Sequence, residues 1–598
     1  MNARIDPMTM MPELVTLENN VDESDVLVQV VRGKMTLGML VQHAEQLQSS
    51  GHLVAASNLY KLWIKHTEDD KKHFAYFNLG SLMQSVSDLG EARQAYENAL
   101  KLQPDFAQAQ INLGLVHEKS GQADQAIRVW AALAGQRYLN AQFAPEMLTT
   151  ALNHIGRLQE NQKNYKLAMD AMEQSLLINP KQPGVIQHWL HIRQKSCEWP
   201  VYKELPNISA NEMMMATSPL AMLALTEDPL QQLLCSHAFV ARTYGLKEEF
   251  LCKGKSYQHD KVRVGYVSGD FREHAVGFLL PTFLQSHDRE RYELYAFDFT
   301  QDDGSQHRQD LLKEFDHVCD VRAMSDRQAA ETILEHEIDV LIDLHGLSAG
   351  ARPGIFALHP APKQGTYIGF IGTTGMPWFD FVLADKRVLP PELALYFTEK
   401  PLYVEGTFIP LTAPKTELPT VHRADVHLPE NAFVMGAFGN VYKITPDMFS
   451  CWMRLLHRIP NSVLWLIDDN PVTTANLKKQ ISLTKGDLSR VIFTSRTGHD
   501  EFCARLKLCD VYLDTYPYNC GSTTNDVVQA GVPMVTMYGR TMVSRMGLSI
   551  LTEVDKPCNA LSNIIDYENK VFEISENLNN KFENFYSRKI FKKIELNF

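Results

Sequence analysis

Apolar positions follow two different rhythms along the chain. From about residue 40 to 180 they recur at helical spacing, in a pattern that itself repeats. Gly80, Ala92, Tyr96, Ala99 and Pro104 lie at offsets 0, 12, 16, 19 and 24. Gly114, Ala126, Trp130 and Leu133 occupy the first four offsets 34 residues on. Gly156, Ala168, Met172, Ser175 and Pro180 repeat the set after a further 42, which predicts a short insertion near Gly135–Glu146. A weaker first copy holds Ala44, Ala56, Tyr60 and Trp63. The pattern predicts helix–turn–helix units. Small residues sit where two antiparallel helices cross closely, a large one fills the gap, and proline opens the next unit. From Lys181 to Asp260 the pattern is helical without repetition. At 262 it changes to short β-rich runs: VRVGYVSGDF, ELYAFDF, IDVLIDLHG, TYIGFIG and FVLAD, with helical stretches between them. The alternation restarts at FVMGAFG (433–439) and continues through SVLWLID (462–468), RVIFTS (490–495), VYLDT (511–515) and PMVTMYG (533–539). Strands alternating with helices predict parallel sheets with crossover helices, and two such runs predict two Rossmann-like domains facing one cleft.

Composition narrows the class. At roughly 100–200 residues per domain, 598 residues predict about three to five domains. Lys plus Arg number 58 and Asp plus Glu 71, a net charge of −13. That balance argues against nucleic acid, which needs a dense basic face. It leaves open a small anionic ligand, which needs only a local positive site. The nine cysteines are scattered, with no CxxC pair, so neither a disulfide framework nor a zinc ribbon is expected and a reducing, cytoplasmic setting fits. No basic start is followed by an apolar run, and no stretch approaches the ~18 apolar residues of a transmembrane helix. Neither α/β run carries GxGxxG or GxxxxGK[ST], which weakens dehydrogenase and P-loop readings.

Four segments carry candidate chemistry. In DVYLDTYPYNCGSTTNDVVQAGVPMVT (510–536) a buried strand leads through a Pro/Asn/Gly loop to a helix opened by Ser522, Thr523 and Thr524. A helix start rich in hydroxyls and free N–H groups suits a diphosphate. Asp526, one turn in, reaches for a ribose hydroxyl. The alternative is that Ser522 or Thr523 is an ordinary N-cap. In GAFGNVYKITP (436–446) Lys443 follows a strand end, placed as counter-charge to a phosphate leaving group or else as a solvated lysine. In GYVSGDFREHAVGFLL (265–280) His274 follows a strand and a Gly-Asp turn, as an acid/base or as a capping histidine. The Gly/Pro-rich stretch 342–375 holds His345, Arg352, His359 and a Gly372–Gly375 turn. It reads as a loop wall with phosphate-facing N–H groups or as a plain structural loop.

The 34-residue unit resembles the tetratricopeptide (TPR) repeat, whose stacked units form a superhelix with a concave face suited to peptides or proteins. TPR-like units followed by GDFREHAVGFLL, GARPGIFALHPAP, IGTTG, NVYKITP, IPNSVLWL, DVYLDT and GSTTNDVVQAGVPMVT, in that order, resemble the O-linked N-acetylglucosamine transferase family, in particular its bacterial SPINDLY-like members. The resemblance covers about residues 40–555. It implies a TPR superhelix followed by a GT-B fold of two Rossmann-like lobes. The corresponding division is an N-terminal segment at 1–35, TPR repeats at 36–196, a helical linker at 197–260, and lobes at 261–425 and 426–598. It implies inverting transfer of a sugar, GlcNAc first, from a UDP-sugar co-substrate to Ser or Thr of proteins bound through the TPR superhelix, with no metal or other cofactor. Lys443 then corresponds to the lysine that neutralises the diphosphate. Ser522 and Thr523 correspond to the phosphate-binding pair, and Asp526 to the ribose acid. Asn440 and Arg505 line the nucleotide, and His274 lies near acceptor and sugar. Gly521 and Phe502 stand where animal members have histidines. His345 stands where they have Asn, making it a second catalytic candidate. These departures leave fucose or glucose donors open; separate alternatives are a non-protein acceptor and a nucleotide-binding TPR adaptor without turnover. Past Glu553 the match fades. The segment 575–598, with five Asn, four Lys and four Phe, differs in composition from the rest, and an altered tail is expected to weaken lobe docking and activity.

Overall fold

The structure is a computed structural model that describes residues 21–135, 145–412, 417–484 and 486–577. The insertion expected near Gly135–Glu146, the first 20 residues and all but three residues of the 575–598 segment lie outside the described residues. The chain divides into two compact units, Met1–Val185 and Ile186–Phe598.

The first unit is built as the repeat pattern predicts. After a helix at Val21–Val31, helices pair as Leu37–Ser49 with Leu53–His66, Lys72–Ser85 with Leu89–Leu102, Ala107–Lys119 with Ala123–Gly135, and Pro145–Asn161 with Tyr165–Ile178. The glycine at the first offset is what lets each of the last three pairs close. A Cβ on Gly80 would lie 2.7 Å from the Tyr96 ring, and one on Gly156 would lie 2.8 Å from Met172. One on Gly114 would overlap the Trp130 indole. Tyr96 and Trp130 are fully buried, and truncating such a side chain to alanine costs about 3–5 kcal/mol. Their polar ends are satisfied. Trp130 Nε1 donates to the Ile111 carbonyl at 3.1 Å, and Tyr96 OH donates to Gln84 at 3.0 Å.

The second unit begins with a helical segment that includes Ala210–Ala216, Pro219–Leu225 and Pro229–Thr243. Its start is tied to the C-terminal lobe. Gln194 Nε2 donates to the Tyr442 carbonyl at 3.1 Å, and Thr473 Oγ1 to the Lys195 carbonyl at 2.9 Å. The first sheet holds β1 (Val262–Ser268), β2 (Tyr292–Asp298), β3 (His317–Asp320), β4 (Val340–Asp343), β5 (Lys363–Thr366), β6 (Phe381–Ala384) and β7 (Lys400–Tyr403) in the order 3-2-1-4-5-6-7. The second holds β8 (Phe433–Ala437), β9 (Ser462–Asp468), β10 (Val491–Ser495), β11 (Val511–Leu513), β12 (Met534–Met537) and β13 (Ala560–Leu561) in the order 10-9-8-11-12-13. Every paired strand is parallel. Strands buried on both faces need continuous apolar runs, which is why these segments stood out. Tyr266 pairs with Ala296 and Ile342, and Met435 with Leu464 and Val511.

One expected strand is displaced. TYIGFIG is mostly loop, and the strand lies just before it at Lys363–Thr366. Ile368 has φ +60, and a Cβ on Gly369 would overlap the Leu344 carbonyl, so the chain leaves the sheet there. The short edge strands β3, β7 and β13 escaped the sequence reading. The lobes are joined by Arg387 to Glu553 at 3.0 Å and by Ser549 Oγ, which donates to Asp385 at 2.5 Å. In each sheet the strand order reverses once at the centre, between β1 and β4 and between β8 and β11. Parallel sheets bind ligands at the carboxyl ends of such strands. Among the described residues no helix is long and apolar enough to cross a membrane.

Candidate active site

Several residues singled out from the sequence follow the strands at these two reversal points. In the C-terminal lobe β8 ends at Ala437. A 3-10 turn at Val441–Lys443 precedes Thr445, whose hydroxyl caps the helix Pro446–Arg458 by accepting from Met448 N–H at 3.3 Å. The turn swings Lys443 against the loop that follows β11. Its Nζ donates to the Asn519 carbonyl at 3.1 Å and lies 3.8 Å from the Tyr518 ring centre. The residue is 8% exposed, so it is not a solvated surface lysine.

That loop is wound tightly by Asp514. Its Oδ1 accepts from the N–H groups of Thr515 and Cys520, both at 2.8 Å, and its Oδ2 from Thr536 Oγ1 at 2.5 Å. Burial pushes the Asp514 carboxyl up to about 6 against these three donors. Asn519 braces the loop through the carbonyls of Thr515 at 2.9 Å and Met537 at 3.0 Å. The chain then enters the helix Ser522–Gln529, and the cap position is Gly521. The reading of Ser522 or Thr523 as an N-cap is thereby overturned. Gly521 has no side chain to accept from the helix start, so the first N–H groups have neither a side-chain cap nor an intrahelical acceptor. Ser522 and Thr523 are both partly exposed. A buried lysine on the loop that feeds an uncapped helix start is an arrangement suited to an anion.

Asp526 sits one turn further along, and sequence reasoning missed its partner. His499, at the start of the helix His499–Leu506, places Nε2 3.1 Å from Asp526 Oδ1. Its ring stacks on Phe278 of the N-terminal lobe at 4.4 Å and lies parallel to Phe502 at 6.4 Å. Burial alone pulls this imidazole down, but the hydrogen bond and charge of Asp526, with Cys503 nearby, push it up to about 9. No motif marks His499. The one available signal was its distance of three residues from Phe502.

Two C-lobe expectations need correction or refinement. The Arg505 guanidinium, expected to line the nucleotide, has its donors engaged within its own lobe. It is committed to Glu501 at 2.6 Å, Thr494 Oγ1 at 2.9 Å and the Ser495 carbonyl at 3.0 Å, holding its helix to the end of β10. Asn440 is exposed and accepts from Arg496 at 3.0 Å.

In the N-terminal lobe β1 ends in Ser268, and the Gly269–Asp270 turn leads to the helix Ala275–Gln285. His274 is its N-cap. Nδ1 accepts from Val276 N–H at 3.4 Å and lies 3.3 Å from Asp270 Oδ2, and about two-fifths of the side chain remains exposed. The capping reading therefore holds, and the exposed part of the ring stays accessible. Burial keeps this imidazole below its ordinary value, with Asp270 opposing that effect. Gly277 is required here, because a Cβ would overlap the Arg272 carbonyl and stand 3.0 Å from that of Asp270.

His345, expected as a second catalytic histidine, has both nitrogens engaged. Nε2 accepts from Gly269 N–H at 2.8 Å, which puts the proton on Nδ1, 3.0 Å from Ser348 Oγ. It is 2% exposed, and burial lowers it. An imidazole with no open lone pair takes no proton from a substrate, so His345 braces the β1 loop instead. Asp270 lies between the histidines, 3.5 Å from His345 Nε2. Asp343, at the end of β4, accepts from His345 N–H at 2.9 Å and Gly346 N–H at 2.8 Å, and burial pushes it up to about 7.

The Gly/Pro-rich loop wall is structural. Arg352 binds Asp326 at 2.8 Å and the Val321 and Met324 carbonyls. His359 binds Glu248 at 2.7 Å and stacks on Phe250. Buried Glu399 accepts from Thr373 Oγ1 at 2.8 Å and Thr374 N–H at 2.7 Å, so this turn faces a carboxylate and not a phosphate.

Residues 243–410 and 412–594 match Glycosyl transferase family 41, and residues 87–121 and 149–182 match TPR repeat families. The chain is 29% identical over 420 residues to the Arabidopsis thaliana protein named "Probable UDP-N-acetylglucosamine--peptide N-acetylglucosaminyltransferase SEC", covering 65% of this chain and 42% of that protein. It is 30% identical over 306 residues to the Arabidopsis protein of the same description named SPINDLY, covering 49% of this chain and 33% of that one. The chain thus spans less than half the length of these relatives. Among solved structures, a mutant of the Thermobaculum terrenum O-GlcNAc transferase superposes with a TM-score of 0.59 at 23% identity, covering 87% of this chain and 92% of that one. The two share a fold: an N-terminal helical repeat region followed by two parallel-sheet lobes.

Proposed function

Because the chain belongs to glycosyl transferase family 41, we propose that it transfers a sugar, GlcNAc from UDP-GlcNAc in the first instance, to Ser or Thr hydroxyls of proteins held along its TPR array. The acceptor oxygen attacks the anomeric carbon, the bond to the diphosphate oxygen breaks, and UDP leaves with inversion. Negative charge grows on that diphosphate. Lys443 and the N–H groups of Ser522 and Thr523 meet it without a divalent cation, a task suited to donors fixed in advance. Asp526 holds the ribose once the nucleotide displaces His499 from its carboxylate, and Asn440 borders the nucleotide from the end of β8. Phe502 offers the base a flat apolar face. In the N-terminal lobe His274 takes the acceptor proton. For this the ring gives up the Val276 N–H bond and takes the other tautomer, with Nδ1–H donating to Asp270 and Nε2 open. His345 is a positioning residue that fixes the β1 loop under Asp270.

The observation that carries this reading is the Lys443 ammonium, buried at 8% exposure on the loop that feeds an uncapped helix start. The test is incubation of the purified protein with labelled UDP-GlcNAc, UDP-glucose and GDP-fucose together with Ser/Thr peptides. Transfer from one donor, lost in Lys443→Met, is the expected result. Binding of UDP without turnover of any donor would replace the enzyme with a TPR adaptor.

A further inference from the structure

His499 and Cys503 stand four residues apart on the helix His499–Leu506, and so share one face. Asp526 meets them from the helix Ser522–Gln529. One ligand atom from each lies within 4.8 Å of the other two, and among the described residues this is the one trio of His, Cys, Asp or Glu so arranged. One edge of the trio is already formed, with His499 Nε2 3.1 Å from Asp526 Oδ1. Cys503 is a free, buried thiol that the proposed reaction does not use.

We propose that His499, Cys503 and Asp526 form a site for a thiophilic divalent cation of the Zn²⁺ class, and that its occupation shuts the donor site. Imidazole and thiolate favour Zn²⁺ over Mg²⁺ or Ca²⁺, which take oxygen ligands. With metal–ligand bonds of about 2.0–2.3 Å, tetrahedral ligands sit roughly 3.3–3.7 Å apart, so the trio closes by about 1 Å through side-chain rotation. The cation replaces the proton that now joins imidazole to carboxylate, expels the thiol proton, and leaves a fourth position for water. Three protein ligands with an open position is a common zinc arrangement. The metal has no part in transfer. It holds the Asp526 carboxylate that the nucleotide needs, so Zn²⁺ and UDP exclude one another. That second clause rests on the donor-site reading of Asp526 given above.

The experiment uses the full chain, stripped with EDTA, and measures Zn²⁺ binding by competition with a chromophoric chelator. Co²⁺ serves as a probe of thiolate ligation, and UDP affinity is measured with and without Zn²⁺. The expected result is one metal per chain and a thiolate-to-Co²⁺ charge-transfer band. Cys503→Ser and Cys503→Ala are expected to bind at least about 100-fold more weakly, with unchanged melting and unchanged transfer without metal. Equal Zn²⁺ affinity in wild type and folded Cys503 variants, or a Co²⁺ spectrum without the thiolate band, overturns the site. Tight, Cys503-dependent Zn²⁺ that leaves UDP affinity unchanged keeps the site and overturns the donor role of Asp526.

Discussion

The two Rossmann-like lobes place their working residues at the same topological point, yet they finish it in opposite ways. In the N-terminal lobe the polar groups past β1 and β4 largely satisfy one another. His345 uses both nitrogens, Asp343 takes two backbone N–H groups, and Asp270 lies between two histidines. What remains open is part of one imidazole, His274. In the C-terminal lobe the loop past β11 is equally well braced by Asp514 and Asn519, but it delivers a helix start with a glycine cap and a buried ammonium beside it. On the proposed function, one lobe supplies a proton acceptor and the other a set of donors. A shared strand order therefore fixes where a site lies, and the capping residue and loop bonds decide which charge it takes.

This contrast can be broken, most strongly at Lys443. Lys443→Met is expected to lower transfer about 100- to 1,000-fold and to weaken UDP binding with it, since a positioned donor to the leaving group is lost. A variant that turns over normally would remove the charge distinction between the lobes. His274→Ala is expected to slow transfer about 100-fold while UDP affinity stays put, which separates the N-lobe contribution from the C-lobe one. Parallel losses in both quantities would contradict that division. Thr523→Ala is expected to weaken UDP about 10-fold, one charge-assisted hydrogen bond, readable by calorimetry.

Smaller effects sharpen the comparison through the two buried acids. Asp343 and Asp514 have folded values raised to about 7 and about 6 from 3.8. A raised acid binds its proton in the native state where the unfolded chain has lost it. Its stabilising effect is complete below 3.8 and disappears as pH rises through the folded value. Unfolding free energy in urea is therefore expected to fall between about pH 4 and 7 on account of these groups, and either Asp→Asn variant is expected to flatten that slope. The costs differ. Asp514→Asn keeps one oxygen for Thr515 and Cys520 and turns its amide toward Thr536. Asp343→Asn leaves one of two buried N–H groups without an acceptor, a loss of about 1–3 kcal/mol. Equal stability for the two variants at pH 7 would mean that the loops are not braced as described.

Much of the fold was legible because its causes are local. The offset-0 glycines and offset-16 aromatics predicted the repeats, and Gly114 against Trp130 shows the reason, since no side chain fits between those helices. The long central strands were legible as continuous apolar runs. Three edge strands were not. β3 and β7 hold no buried position and β13 is two residues long, so they lack the apolar run that marks the equally short but buried β4 and β6. The placing of TYIGFIG failed because Ile368 takes a left-handed backbone that its apolar neighbours hide.

By itself the sequence determined the succession of repeats, linker and two parallel-sheet lobes, and with it the strand ends where Lys443, Ser522, Thr523 and His274 emerge. These follow from spacing within single elements and short loops. Only the tertiary structure decided which of the candidates are open. The bonds that retire His345 from chemistry and bury Lys443 beside the helix start each join positions 76 residues apart. The partner of Asp526 comes from another helix, 27 residues away. Whether a side chain is committed or free depends on what the fold brings beside it, and periodicity carries no record of that.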